Sequence, residues 1–242
     1  MRIKILTIFP EMFSGFLSTS IIKRALNKEQ VEIEVIDFRQ YSTDKFKRVD
    51  DYPYGGGAGM VLMCQPILDC LSAVKSENSY VILTSPEGDR FDQNIAKELA
   101  KKEEIVIICG HYEGFDGRIY DHIDRQISVG DYILTGGELS AMVMTDAITR
   151  LLKGVIADES TVEESFEDDL LEYRQYTRPV DYNGSKVPEV LLSGHHENIR
   201  KYRLKERLKA TYLKRKDLLE KHEFTKEETK MLEEIKEELG EQ

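Results

Sequence analysis

The sequence predicts an α/β fold, with a parallel sheet in residues 1–156 and a small all-helical domain in residues 172–242. Three observations predict it. An apolar, β-branched segment stands at 3–9, and short continuous apolar runs recur at 80–83 and 105–109, as strands covered on both faces require. Segments with helical spacing lie between them, and a strand–helix–strand rhythm argues for parallel strands. From Gly194 onward the chain carries helical spacing only.

Taken in order, residues 3–9 are apolar and β-branched, the first strand. Pro10 opens a helix over 10–27, with Met12, Phe16, Ile22 and Leu26 at broadly helical spacing. Residues 31–37 alternate Val and Ile with acids, as a half-buried strand does. A short helix is expected at 65–74. The runs 80–83 and 105–109 are strands flanking a helix over 92–102. A further strand and turn occupy 127–134, and a helix 137–152. Residues 157–172 hold eight acids and no Lys or Arg, so 157–171 reads as an exposed acidic linker. A helix over 197–212 presents Ile199, Tyr202, Leu204 and Leu208. Thr225 and Glu228 form a capping box ahead of a last helix bearing Met231, Leu232, Ile235 and Leu239.

Composition narrows the class. Of 242 residues, 40% are hydrophobic, enough for a core. No apolar run reaches the roughly 18 residues that span a bilayer, so no membrane partner is expected. The start, Met1-Arg2-Ile3-Lys4, leads into a strand without a small-residue cleavage site, and no signal peptide is read. Cys64, Cys70 and Cys109 form no CxxC pair and sit among apolar neighbours. They read as buried reduced thiols of a cytoplasmic protein. The net charge of −11 argues against a nucleic-acid partner, but residues 200–216 hold nine basic residues and one acid. Screening confines each patch to about 10 Å, so this stripe, with Tyr202 and Tyr212 interleaved, can still grip RNA phosphates. It also fits a solvated helix face.

Three glycine-rich loops adjoin expected strand ends, where open α/β sheets bind ligands. The first, 51–60, has Gly55, Gly56, Gly57 and Gly59 but lacks the Lys-Ser/Thr of a phosphate-binding P-loop. The second, 109–118, leaves a buried strand directly and carries His111 and Glu113. No residue is spaced to join His111 as a metal ligand, and Glu113 alone fits an acid at a helix start. The third, 128–139, alternates apolar side chains with glycine, a surface that can hold a flat ring while the backbone reads its edge.

These runs, with Thr7-Ile8-Phe9-Pro10-Glu11-Met12-Phe13, Tyr176-Thr177-Arg178-Pro179 and Val190-Leu191-Leu192-Ser193-Gly194-His195-His196, closely resemble the bacterial tRNA (guanine-N1)-methyltransferase family, which belongs to the knotted SPOUT methyltransferases. The likeness covers nearly the whole chain, in order and at matching spacing.

The resemblance implies methyl transfer from S-adenosylmethionine to N1 of guanosine 37 of tRNA, beside the anticodon. It implies a trefoil knot in the N-terminal domain and a homodimer with active sites shared between subunits. It places the donor among Leu83, Thr84, Ser85, Pro86, Gly110, Tyr112, Glu113, Val129, Gly130, Asp131, Tyr132, Ile133, Leu134, Gly136 and Gly137. It gives Arg150 as the cation opposite guanine O6; alone, Arg150 would read as the partner of Asp146, four residues earlier. It gives the base as the acid before Ser165-Phe166. The family usually has Asp there and this chain has Glu164, so Asp168 or Asp169 stand as alternatives. The family also often has Gly where this chain has Asp169, and Pro where it has Ser140. Substrate tRNA is expected at Gly55, Gly57, Gly59, Glu172, Arg178, Arg200, Lys201 and Arg203. The sequence leaves open whether Mg2+ assists. Two rivals remain at this stage. A non-catalytic RNA-binding or ribosome-assembly protein would not need intact donor loops, and a nicotinamide oxidoreductase would need the GxGxxG that is missing.

Overall fold

The computed structural model describes residues 1–156 and 164–240. The chain divides into two units, Met1–Ala157 and Asp158–Gln242.

The first unit is built on a five-stranded sheet of β1 (Arg2–Thr7), β2 (Glu32–Asp37), β5 (Ser79–Arg90), β6 (Glu104–Ile108) and β7 (Arg125–Ser128), in the order β2-β1-β6-β5-β7. Every pairing is parallel. A two-stranded hairpin, β3 (Asp50–Asp51) and β4 (Val61–Leu62), stands apart from it. The helices are α1 (Ser14–Leu17), α2 (Ser20–Asn27), α3 (Cys64–Val74), α4 (Gln93–Leu99) and α5 (Glu138–Thr149). Alternation along β6 explains the apolar run that follows Glu104. Ile105 and Ile107 join the core that Met144 and Ile148 of α5 enter, while Val106 and Ile108 join the core that Ile67 and Leu71 of α3 enter. Both faces are thus covered by helices, as parallel sheets require.

The helix expected over 10–27 is three pieces. A 3-10 turn at Pro10–Phe13 precedes α1, and α2 begins only at Ser20. The hydroxyls of Ser18 and Thr19 donate to the Gly15 carbonyl at 3.3 and 2.8 Å. Such back-bonding competes with the helical ladder, and Ser20 turns to φ 54°. The helix at 137–152 begins at Glu138, with Gly137 as N-cap and no side-chain cap.

Among the described strands of the sheet, one charged side chain is fully buried. Glu104 is fully buried, with Arg2 Nε at 2.7 Å, Lys4 Nζ at 3.1 Å and the Ser76 hydroxyl at 2.8 Å, and it also accepts from the Ser79 hydroxyl. Burial pushes its pKa up, but the hydrogen bonds from Ser79, Ser76 and Lys4 outweigh that and pull it from 4.5 down to about 2. The folded pKa is depressed, so the stabilisation is complete above pH 4.5 and is lost as pH falls towards about 2. Glu104→Gln is expected to cost ~3 kcal/mol at neutral pH. Urea unfolding at pH 7 and pH 3 checks this, and the gap between variant and parent should narrow at pH 3.

The second unit holds a hairpin of β8 (Asp181–Tyr182) and β9 (Ser185–Lys186). After it come α6 (Glu189–Leu192), α7 (His196–Lys214), α8 (Lys216–Leu219) and α9 (Lys226–Glu238). The hairpin was not expected; Asn183 and Gly184 supply its two left-handed residues, as a two-residue turn requires. Leu208 and Tyr212 of α7 and Ile235 of α9 make the core. The capping box of Thr225 and Glu228 is present. Part of the span read as linker, 157–163, lies outside the described residues. In the remainder Leu170 is fully buried in this core.

No helix among the described residues is long and apolar enough to cross a membrane. All three cysteines are free thiols; Cys70 and Cys109 are buried and Cys64 partly so.

Candidate active site

A cavity of about 380 Å3 opens beyond the C-terminal ends of β6 and β7 and against the turn of β5 after Leu83. Its walls come from the two loops that follow β6 and β7 and from that turn. Backbone contacts stitch the three together. The Gly110 amide donates to Thr84 Oγ1 at 3.1 Å, and Thr84 Oγ1 donates to the Ile108 carbonyl at 3.1 Å. The Gly137 amide donates to the Gly110 carbonyl at 2.7 Å, and His111 bridges to Gly136. A Cβ on Gly137 would stand 2.1 Å from Thr84 Oγ1 and 2.8 Å from the Gly110 nitrogen. Only hydrogen fits there.

Of the residues expected to hold the donor, Thr84, Ser85, Pro86, Gly110, Tyr112, Glu113, Val129, Gly130, Tyr132, Ile133, Leu134, Gly136 and Gly137 line the cavity. Two expected residues do not. Leu83 is fully buried in the sheet's core, because strand alternation turns it to the opposite face from Thr84. Asp131 is exposed and lies off the lining. Glu87, Tyr120, Ile127 and Ser140, outside the glycine-rich loops, also line it, as do Gly114, Phe115 and Ser128 within those loops.

The first glycine loop joins the site from outside. Gly59, at φ 84°, lies so close to Glu113 that a Cβ would fall 2.4 Å from its Cγ. The Glu113 amide donates to the Met60 carbonyl at 3.0 Å, and the Leu62 amide to the Gly114 carbonyl at 2.9 Å. Gly55 and Gly57 are exposed, at φ 88° and 132°, and do not touch the cavity.

Two carboxylates, Glu87 and Glu113, stand in the wall among otherwise polar or apolar groups. Burial pushes the Tyr112 hydroxyl up, and nearby Asp50 adds to it, so the phenol stays neutral. Beneath the site, burial and then the Glu138 carboxylate drive the Cys109 thiol far above its ordinary value. Glu138 is buried and accepts from Thr7 Oγ1 at 2.7 Å.

The remaining candidates divide between the units. Arg150 follows α5 in the first unit, its amide donating to the Asp146 carbonyl at 3.1 Å. Glu164 begins a turn in the second unit. Asp168 of that turn is bound by Arg207 in an ion pair. Asp169 stands at φ 62°, a conformation natural to the family's Gly and one that Asp tolerates better than most residues. The Glu172 amide donates to Ser165 Oγ at 2.9 Å. Arg178 is exposed, ahead of a cis bond to Pro179.

The basic stripe is less open than the sequence suggests. Arg200 is clasped by Glu197 and Glu227, at 2.9 and 2.8 Å. Lys205 pairs with Glu234 and Glu238, and Lys201 lies 3.7 Å from Glu197. Arg203 stacks on Tyr173, 4.8 Å from the ring centre. The basic and acidic runs face each other on α7 and α9 and largely neutralise one another.

A parallel α/β sheet whose glycine turns enclose a ligand cavity at the strand ends defines a ligand-binding α/β class, as at the topological switch points of such folds. A family profile described as "tRNA (Guanine-1)-methyltransferase TrmD" matches residues 1–221. The chain is 55% identical over 243 residues to a tRNA (guanine-N(1)-)-methyltransferase of Dictyoglomus turgidum (strain DSM 6724 / Z-1310), covering 100% of this chain and 99% of that protein. It is 53% identical over 242 residues to the protein of the same name from Bacillus cereus (strain AH820), covering 98% and 99%. The same figures hold for Bacillus anthracis (strain CDC 684 / NRRL 3495). The chain belongs to the tRNA (guanine-1)-methyltransferase TrmD family.

Proposed function

We propose that this protein transfers the methyl group of S-adenosylmethionine to N1 of guanosine 37 of tRNA, giving 1-methylguanosine. The observation that carries the reading is the cavity closed by the Gly110–Gly137 contact. At about 380 Å3 it is within the usual range of ligand clefts, and it matches the donor's chemistry. Ile133 and Leu134 offer aliphatic faces for a flat ring, and the turns at Gly110 and Gly136–Gly137 bring backbone close, where any Cβ would fill the space.

When bound, S-adenosylmethionine supplies an electrophilic methyl on a sulfonium. The chain must do the rest. Guanine N1 carries a proton at neutral pH and is a poor nucleophile until a carboxylate removes it. Glu164 takes this role. Negative charge then gathers on guanine O6, and Arg150 meets it. Asp168, already held by Arg207, is not the base. Glu172, Arg178, Lys201 and Arg203, with the exposed glycines of the first loop, contact tRNA.

In this reading the first unit is the knotted donor-binding domain and the second binds tRNA. Two copies pair so that each site draws Arg150 from one subunit and Glu164 from the other. Leu139 and Val143, four residues apart on α5 and half-exposed, are apolar surface of the kind a partner covers. The enzyme works in the cytoplasm, where tRNA is modified.

Labelled methyl donor incubated with tRNA transcripts carrying G or A at position 37 tests the function. Label is expected in the G37 transcript alone; equal labelling of both, or of neither, overturns it.

A further inference from the structure

We propose that Asp168, held between Arg207 and His222, is a positioning residue that fixes the turn carrying Glu164. The proposal rests on Glu164 as the base.

Residues 164–171 form a tight turn. The Glu167 amide donates to the Glu164 carbonyl at 3.2 Å, and the Phe166 amide to the Leu170 carbonyl at 3.0 Å. Phe166 and Asp169 both sit in the left-handed region, at φ 72° and 62°. A bulky residue such as Phe persists there only when its surroundings over-determine it. Three side chains supply that constraint. Arg207 Nη2 donates to Asp168 Oδ1, and the guanidinium side chain is 7% exposed. Thr211, one turn further along α7, accepts the Leu171 amide at 2.9 Å and donates to the Arg207 carbonyl at 2.7 Å. His222 Nδ1 lies 2.9 Å from the Asp168 carbonyl oxygen. A carbonyl only accepts, so that nitrogen carries the hydrogen.

On its far side His222 faces Glu228, its Nε2 3.5 Å from Oε1 without a hydrogen bond between them, and Glu228 is fixed by the capping box, its other oxygen accepting the Thr225 amide at 2.7 Å. One residue of the turn is therefore gripped through its carboxylate by α7 and through its carbonyl by the segment leading to α9. With its carboxylate and its carbonyl both engaged, Asp168 has a geometric role.

The test uses the full chain with a G37 transcript. It measures kcat, both KM values, the pH profile of kcat and thermal unfolding for Asp168→Asn, His222→Leu, His222→Gln and Glu164→Gln. Because displacing a reacting group by about 1 Å can cost on the order of a hundredfold, Asp168→Asn and His222→Leu should each lower kcat by about tenfold or more. The donor KM and the acid limb of the profile should stay. His222→Gln, whose amide still donates to the Asp168 carbonyl, should return to within about threefold of the parent. Glu164→Gln should lose far more rate and the acid limb with it. If Asp168→Asn unfolds by stranding Arg207, the His222 pair carries the test, since neither variant leaves that cation unpaired. Equal rates for His222→Leu and His222→Gln, or parental kcat in folded Asp168→Asn, overturn the clamp while a dead Glu164→Gln leaves the base standing. Loss of the acid limb in Asp168→Asn, with Glu164→Gln fully active, overturns both by making Asp168 the base.

Discussion

Gly137→Ala is expected to abolish donor binding and methyl transfer. The backbone at Gly137 has φ −81°, which any residue adopts, so the effect is one of space alone. The added methyl would stand 2.1 Å from Thr84 Oγ1, 2.8 Å from the Gly110 nitrogen and 2.9 Å from Cys109 Cα. Two of these three atoms are backbone. The third is pinned between the Ile108 carbonyl and the Gly110 amide, at 3.1 Å each, so it cannot swing aside without breaking both bonds. The strand ends of β5 and β6 and the start of α5 would have to part. Overpacking of this kind costs roughly 1–3 kcal/mol or more, and the Gly110–Gly137 hydrogen bond that closes the cavity would open. Titration calorimetry with S-adenosylmethionine should show affinity weakened by about a hundredfold or lost, since a loop shift of ~1 Å suffices for that. Gly55→Ala is the control: its Cβ meets open space, and only the φ of 88° opposes it, at roughly 1 kcal/mol. If Gly137→Ala binds donor as tightly as the parent, the cavity is not where the donor sits.

How far the site could be read from the sequence follows from which forces set each part. The strands were legible because burial on both faces leaves an unbroken apolar run, as in residues 105–108 of β6. The glycine turns at 110 and 136–137 were legible because close backbone approach forbids a side chain whatever the surroundings. Leu83 lies off the cavity lining, and period-2 alternation already separates it from Thr84. The hairpin at 181–186 also carried its signal, Asn183-Gly184, unread. Other features were illegible for a physical reason. The break before Ser20 is decided by hydroxyl bonds to one carbonyl, which no apolar pattern records. The rings of Phe115 and Tyr120 reach the cavity from elements whose spacing says nothing of their direction. The basic and acidic runs near the C-terminus were plain, but their mutual neutralisation is tertiary: Lys205 meets Glu238, 33 positions away.

Glu164→Gln is expected to lower kcat by about a thousandfold, within the 10²–10⁴ range that general-base catalysis contributes. The amide keeps the size and most of the hydrogen-bonding shape of the carboxylate but cannot accept the N1 proton. Since it takes nothing from the donor cavity, which lies wholly in the first unit, donor affinity should not move. The tRNA KM should change little, because the loss arises in the transition state alone. The extra methylene of Glu over the family's usual Asp moves the carboxylate by about 1.5 Å. The turn that presents Glu164 also departs from the family's usual form, with Asp169 rather than Gly at φ 62°. If the turn and the acid are matched to one another, Glu164→Asp will not improve the enzyme; it should lose about tenfold, because the shorter acid falls short of N1 by that same displacement. A gain in rate for Glu164→Asp would show that the longer acid is merely tolerated. Parental kcat in Glu164→Gln, with the protein folded and donor bound, would remove Glu164 from the chemistry altogether.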